Sequence, residues 1–248
     1  MTASAEASLA AEAYGIVRRR IVRGTVGLGE AISRRKLAVE LGMSFLPVSM
    51  ALLRLEFEGL LESRPRAGTR VRIPSREDVR GHYVVREALE VQAAKLFARV
   101  ATARERGELK KLAAHVDELA RLQSDRTAYV QSHQKLHRRV AECTRCPALS
   151  TTIEKQNVLA SIWFCLARSP STDAPIRRHQ DLVAVLCQGG PEEASDAMRE
   201  HIAGGLKHTM TALEPYFRLR KASGKTFFRS RQKPSQSRAK GEGLRAKG

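Results

Sequence analysis

Apolar positions recur at helical spacing almost from the start of the chain. Between residues ~7 and 23, Leu9, Ala13, Ile16, Val17 and Ile21 fall on one stripe of a 3.6-residue period, and Gly24 closes the run. The following stretch, GTVGLGE (24–30), is too rich in glycine for a helix. Ser33 then predicts the cap of a short helix, RRKLAVEL, ended by Gly42. Ser44 predicts the cap of a third helix, LPVSMALLRLEFEG, which tolerates Pro47 in its first turn. After Gly59, LLESRPRAGTRVRI has two β-prone arms around residues 64–68 and reads as a hairpin. Helix, short helix, turn, helix, hairpin is the order of a winged helix-turn-helix, whose third helix enters the major groove of DNA.

From about residue 76 to 214 only helical periodicity is found. The apolar pattern predicts helices over 77–101, 105–123, 126–144, 147–167, 173–188 and 191–213, with breaks at Gly107, Pro147, Ser169–Pro170 and Gly189–Gly190–Pro191. Six amphipathic helices with short joints predict a compact bundle. Beyond Pro215 the chain is polar, basic and without period, which predicts a disordered tail. The fold class is therefore mainly α. A winged helix-turn-helix of three helices and a β-hairpin wing (7–74) precedes an all-α bundle of six or seven helices (75–215), and a tail (216–248) follows.

Charge changes this picture by its location. The net charge is +18, and residues 216–248 contribute +10 of it, against +5 from residues 1–75 and +3 from residues 76–215. A basic head, a balanced body and a basic tail point to a polyanion, bound through phosphate neutralisation. Aromatics are only 5% of the chain, so the core must be mainly aliphatic, which favours helices. The N-terminus lacks the basic and apolar regions of a signal peptide, and no apolar run approaches the ~18 residues of a membrane span, so a cytoplasmic protein is expected. Cys143-x-x-Cys146 has no second pair at zinc-ribbon spacing and reads as idle or buried thiols.

A family resemblance rests on many positions at fixed spacing. Gly24-x-x-Gly27-x-Gly29-Glu30-x-Ile32-Ser33 is followed by Leu37-Ala38-x-Glu40-Leu41-Gly42-Met43-Ser44 and Pro47-Val48. Ala51-Leu52-x-x-Leu55-Glu56-x-Glu58-Gly59-Leu60 and Gly68-Thr69-x-Val71 complete the set. These resemble the winged-helix domain of GntR-superfamily regulators. Residues 86–94, REALEVQAA, resemble the opening helix of the FCD sensor domain of the FadR branch. The likeness continues through Leu136-His137, Pro147-x-Leu149, His179, Gly189 and His201. The resemblance implies a homodimer on a pseudo-palindromic operator, and a small-molecule effector held in the helical domain.

The chain departs from this pattern where the DNA would be read. The family's recognition helix usually opens Ser-Arg-Thr-Pro-Val-Arg-Glu, but here residues 44–50 are SFLPVSM. Both arginines that reach guanine or phosphate in relatives are replaced, by Phe45 and Ser49. A bidentate arginine–guanine contact is worth ~1–3 kcal/mol of discrimination, so the readout must differ. Phe45 and Leu46 are candidates for thymine methyl groups, and Ser44 and Ser49 for hydrogen bonds. Arg35 is available on the second helix. Arg66, Gly68 and Arg70 belong to the wing, where arginine meets phosphate or the minor groove.

His133 and His137, four apart on one helix face, are spaced to share a metal ion, although such a pair alone is commonly surface or core filler. In the resembled family an Asp-x-x-x-His pair and two later histidines bind a metal. His137, His179 and His201 match those histidines, and His133 stands at the aspartate. Four imidazoles suit a divalent transition metal, zinc before nickel, better than Mg²⁺ or Ca²⁺. Losing the carboxylate makes the site more electropositive, which favours a small organic acid as effector. Arg86 matches a cavity-facing position and is a candidate clamp for that carboxylate, or else an ordinary surface arginine. Asn157 and Trp163 are candidate cavity-lining residues, with core packing the alternative for Trp163. His82, His115 and His208 are expected to be structural or exposed.

The reading that joins these features is a DNA-binding transcription regulator, expected to repress, controlled by a metabolite in a metal-containing sensor domain. An architectural DNA-binding protein that relies on its basic tail is the alternative. A metal-dependent hydrolase is remote, because no acidic residue stands beside the histidine pair in the His-Glu-x-x-His manner that supplies a general base. No enzymatic activity is expected.

Overall fold

The computed structural model describes residues 3–65, 67–122, 126–166 and 178–229. The head begins with α1 (Ala3–Arg23), which turns Ala13, Val17 and Ile21 into the core. Next come β1 (Ala31–Ile32), α2 (Arg34–Leu41) and α3 (Phe45–Phe57), then β2 (Leu61–Arg64) and β3 (Gly68–Val71). The expected stop and start signals hold for α2. Ser33 Oγ accepts from the backbone N–H of Lys36, and Gly42 adopts the left-handed conformation (φ 62°) that only glycine enters without strain. Ser44 precedes α3 with extended backbone, but its side chain makes no cap hydrogen bond. The hairpin β2–β3 is joined by an element the sequence pattern does not reveal. β1 pairs antiparallel with β3, giving the sheet order β1-β3-β2. Two residues are too few for an alternation to show.

The second part consists of α4 (Arg76–Val100), α5 (Ala103–Leu122), α6 (Arg126–Glu142), α7 (Pro147–Leu166), α8 (Arg178–Gln188) and α9 (Pro191–Arg229). α4 opens with a reciprocal capping box between Ser75 and Asp78. Arg72, at the end of the wing, is 2.7 Å from the same Asp78 carboxylate. Two expectations are corrected here. The break before α5 is not at Gly107, which lies inside the helix. It is at Thr102, whose hydroxyl accepts from the Glu105 backbone while Glu105 accepts from Thr102, a second capping box. The helix expected over 191–213 continues to Arg229, so the tail is not without structure from residue 216. Pro215 sits inside α9 because Leu213 and Phe217, on either side of it, are buried and hold the path of the helix. The start of the helix expected at residue 173 lies outside the described residues. Among the described residues no helix is long and apolar enough to cross a membrane.

One residue ties the bundle together from the side. The Arg106 guanidinium donates to the carbonyls of Ala98, Ala101, Leu186 and Cys187, the last turns of α4 and α8. Those carbonyls have no partner within their own helices, so a single cation satisfies two helix ends.

Candidate metal centre and DNA-binding face

Five helices send polar side chains to the middle of the bundle. His133 and His137 come from α6, His179 from the first turn of α8, His201 from α9, Arg86 and Glu90 from α4, and Asp117 from α5. All four histidines that the sequence singles out meet here. Ring centroids are 4.6 Å apart for His133 and His137, 5.0 Å for His133 and His179, and 5.1 Å for His179 and His201. Ligand nitrogens of His133, His137 and His201 lie within 4.8 Å of one another. The Nε2 atoms of His133 and His137 are only 3.2 Å apart. Two nitrogens on one tetrahedral zinc at ordinary bond lengths are about 3.4 Å apart, so this spacing suits a shared ion.

Two buried carboxylates orient the rings from behind. Asp117 Oδ1 is 2.6 Å from His179 Nδ1, and the same carboxylate accepts the backbone N–H groups of His179 and Gln180 at the start of α8. This arrangement puts the ring's proton on Nδ1 and leaves Nε2 with a free lone pair. His179 Nε2 is buried and has no hydrogen-bond partner. Glu90 Oε2 lies 2.5 Å from His137 Nδ1, while its other oxygen accepts from Arg86 Nε at 2.8 Å. Burial opposes ionisation of Glu90, but Arg86 and His137 outweigh it and hold the carboxyl below its usual range. Burial likewise opposes ionisation of Asp117, and the His179 ring with two backbone N–H groups reverses the outcome. Burial, then the neighbouring cationic forms, push His133 and His201 well below the ordinary imidazole range; burial also lowers His179 against the pull of Asp117. Those three rings are therefore neutral at pH 7 and carry lone pairs. A pocket of convergent imidazole nitrogens with carboxylate-backed rings fits a divalent transition metal better than a hard cation, which prefers oxygen ligands.

Arg86 is not a surface arginine. It is buried, pairs with Glu90 and stands 5.1 Å from the Tyr83 ring centre. Three residues at this centre escape the sequence reading. Glu90 and Asp117 each interrupt the apolar stripe of an otherwise amphipathic helix, a signal that was legible. Arg178 reaches across Gly204 and Gly205 to donate to the His201 carbonyl at 3.0 Å, and burial lowers its basicity. Nothing in the sequence pattern marks it. Trp163 is buried and packs edge-on against His82, whose pKa burial and the Arg86 charge push down to about 4. Asn157 falls in α7, but its side chain lies outside the described residues, as does Arg66 of the wing.

The head presents a different surface. Arg35, Ser44, Phe45 and Leu46 are exposed, as expected. Ser49 differs, because its hydroxyl oxygen is buried without a partner and does not face outward. Gly68 opens β3 with φ 73°, the conformation that lets the hairpin turn. Arg70 is half-buried, 3.6 Å from Glu62, which also pairs with Arg64. Arg34 donates to Thr69 across the gap between α2 and the wing, a groove also lined by Lys36 and Arg64. Met50, Leu53 and Phe57 also stand in solvent on α3, which the sequence pattern does not distinguish from its core positions.

A helix-turn-helix with a basic wing, joined to a helical bundle with a buried polar centre, is the architecture of a two-part DNA-binding regulator. Comparison with known proteins agrees. Residues 9–71 match the bacterial regulatory proteins of the gntR family, and residues 82–204 match the FCD domain. The chain belongs to the GntR superfamily of DNA-binding transcriptional regulators, in its FCD-containing branch. It is 28% identical over 206 residues to a probable D-xylose utilization operon transcriptional repressor of Paenarthrobacter nicotinovorans, covering 82% of this chain and 89% of that one. It is 24% identical over 193 residues to the transcriptional repressor RspR of Escherichia coli K12, covering 76% and 83%. In fold it is similar to a GntR regulator from Rhodococcus sp. RHA1 (TM-score 0.70, 20% identity, 83% and 99% covered). It is also similar to E. coli McbR/YncC (TM-score 0.63, 20% identity, 88% and 100% covered).

Proposed function

We propose that this protein is a homodimeric repressor whose affinity for a pseudo-palindromic operator is set by a small organic acid bound at a metal centre in the helical domain. The observation that carries the reading is the meeting of four histidines from three helices, with His137 and His179 backed by buried carboxylates. His133, His137, His179 and His201 would hold the ion, zinc before nickel. Bound there, it supplies a Lewis-acidic position for one oxygen of the effector. Arg86 and Arg178 offset Glu90 and Asp117, so a bound divalent ion would leave the centre net positive, which suits an anion. Arg86 is poised to receive a carboxylate in place of Glu90. Repression is supported by the names of the two relatives above. Two-fold pairing would set the recognition helices about 34 Å apart on the duplex.

Effector control requires only that the acid bind one arrangement of head and bundle better than the other. The test has two arms. Elemental analysis of protein grown with added zinc should find about one ion per chain, lost on His137→Ala. Selection of bound duplexes from a random pool at about 150 mM salt should return a palindromic motif of fixed half-site spacing. Protein without stoichiometric metal would remove the centre from the proposal. Binding that coats every duplex equally would replace the regulator with an architectural protein, the reading favoured by the absence of arginine at positions 45 and 49.

A further inference from the structure

The outward face of α3 is apolar. Leu46, Met50, Leu53 and Phe57 follow one another at i, i+4, i+7 and i+11, which gathers them within an arc of about 60° on the helix. They are 52%, 46%, 64% and 92% exposed, and Phe45 at the helix start is 59% exposed. A monomer's surface holds scattered apolar residues without consequence, but a continuous exposed stripe marks a contact. Ser49 and Arg54, polar side chains within α3, are turned inward or already paired. Ser49 Oγ is buried. Arg54, at the edge of the arc, donates to Glu58 at 3.2 Å and stacks 4.0 Å over the Tyr14 ring.

We propose that this face reads its operator through thymine methyl groups, with Phe45, Leu46, Met50 and Leu53 packed against them in the major groove in place of hydrogen bonds to guanine. The proposal rests on the reading above that the head binds an operator. In the major groove only thymine offers an apolar group, its C5 methyl. Set against a G·C pair, the same side chains would cover donors and acceptors without replacing their lost water, so the face both attracts A·T and rejects G·C. Charge argues for DNA as the occupant. α2 and β2 pack beside α3, and Arg34, Arg35 and Lys36 at the start of α2, with Arg64 on β2 and Arg70 on its neighbour β3, put phosphate-binding groups on the same head. Leu46 to Leu53 spans about 10 Å along the helix, or roughly three base-pair steps, so each half-site should carry a run of about three A·T pairs. Phe57 is about 18 Å from Phe45 along the axis, beyond the reach of a helix that enters the groove by its N-terminus.

Uracil for thymine removes only the methyl group, and so tests the proposal directly. The selected operator is synthesised with deoxyuridine at single positions, and full-length protein is titrated at several salt concentrations. Each contacted methyl should cost about fourfold in affinity, the equivalent of one buried methylene. The salt dependence should stay unchanged, because no phosphate contact is lost. Leu46→Ala and Met50→Ala, both at exposed positions, should abolish the sensitivity at particular thymines. A 5-methylcytosine placed where cytosine has replaced a contacted thymine should recover part of the loss. An operator with guanine at the half-site core, or full affinity on uracil duplexes, would overturn the methyl readout while leaving a specific regulator in place. No enriched sequence at all would overturn the operator reading with it. If Leu46→Gln and Met50→Gln dissociate a self-assembled form and leave DNA affinity untouched, the stripe is a protein contact and the proposal falls.

Discussion

Five apolar side chains stand in solvent on α3, whereas the middle of the bundle keeps three imidazoles, two carboxylates and a guanidinium away from it. Each region inverts the ordinary rule of apolar inside and polar outside, and they do so differently. The bundle's polar groups are mutually engaged, Arg86 with Glu90, Glu90 with His137 and Asp117 with His179, so removing any one strands another. The apolar groups on α3 are largely exposed and belong to no buried pair, so the isolated fold depends on them little. An inverted interior is bound into the protein's stability, and an inverted exterior is not. Inversion at a surface therefore speaks to a partner more directly than inversion in a core does.

Four measurements break or sharpen this contrast. The largest effect is expected from Glu90→Ala, which leaves Arg86 buried without its carboxylate. Loss of one partner of a buried pair costs about 3–5 kcal/mol, to be read from urea unfolding. A change under about 1 kcal/mol would mean that Arg86 escapes to solvent and that the interior is not as interlocked as described. The second sets adjacent leucines of α3 against each other. Leu52 is fully buried and Leu53 exposed, so Leu52→Ala should cost about 2–5 kcal/mol and Leu53→Ala within about 0.5 kcal/mol of nothing. Equal losses would show that Leu53 is covered in solution.

Chelation comes third. An ion at a hundredfold excess over its dissociation constant contributes about 2.7 kcal/mol, so stripping it should lower Tm by about 5–10 °C in calorimetry. Metal-loaded protein whose melting ignores the chelator would place the ion elsewhere. The smallest effect belongs to Ser75→Ala, which removes half of the α4 capping box for about 1 kcal/mol. A loss no larger than that of an exposed surface serine would show the box to be dispensable to the joint between head and bundle.

Most of the helices were legible because their apolar period is long and their ends carry explicit signals, such as Ser33 and Gly42 around α2. What stayed hidden was either too short to have a period, as with β1, or decided by packing, as with the passage of α9 through Pro215. The histidine centre was half legible. His133 and His137 announce themselves by spacing, but His179 and His201 lie on other helices, and only the family registers brought them in. Glu90 and Asp117 could have been found as acids on apolar stripes. The outward face of α3 was not legible at all. Leu52 and Leu53 are the same residue, and a helix apolar on most sides does not say which side meets water.

The capping box at Ser75 and the ion pair from Arg72 to Asp78 give α4 a fixed origin at the end of the wing. Arg86 lies eight residues farther on, about 12 Å along the same helix. A helix held by its own backbone bonds resists twisting, so it behaves as a short crankshaft. On the proposed reading, a bound acid that turned Arg86 and Glu90 would turn Asp78 two helical turns away with them, and through Asp78 the arginine that closes the wing.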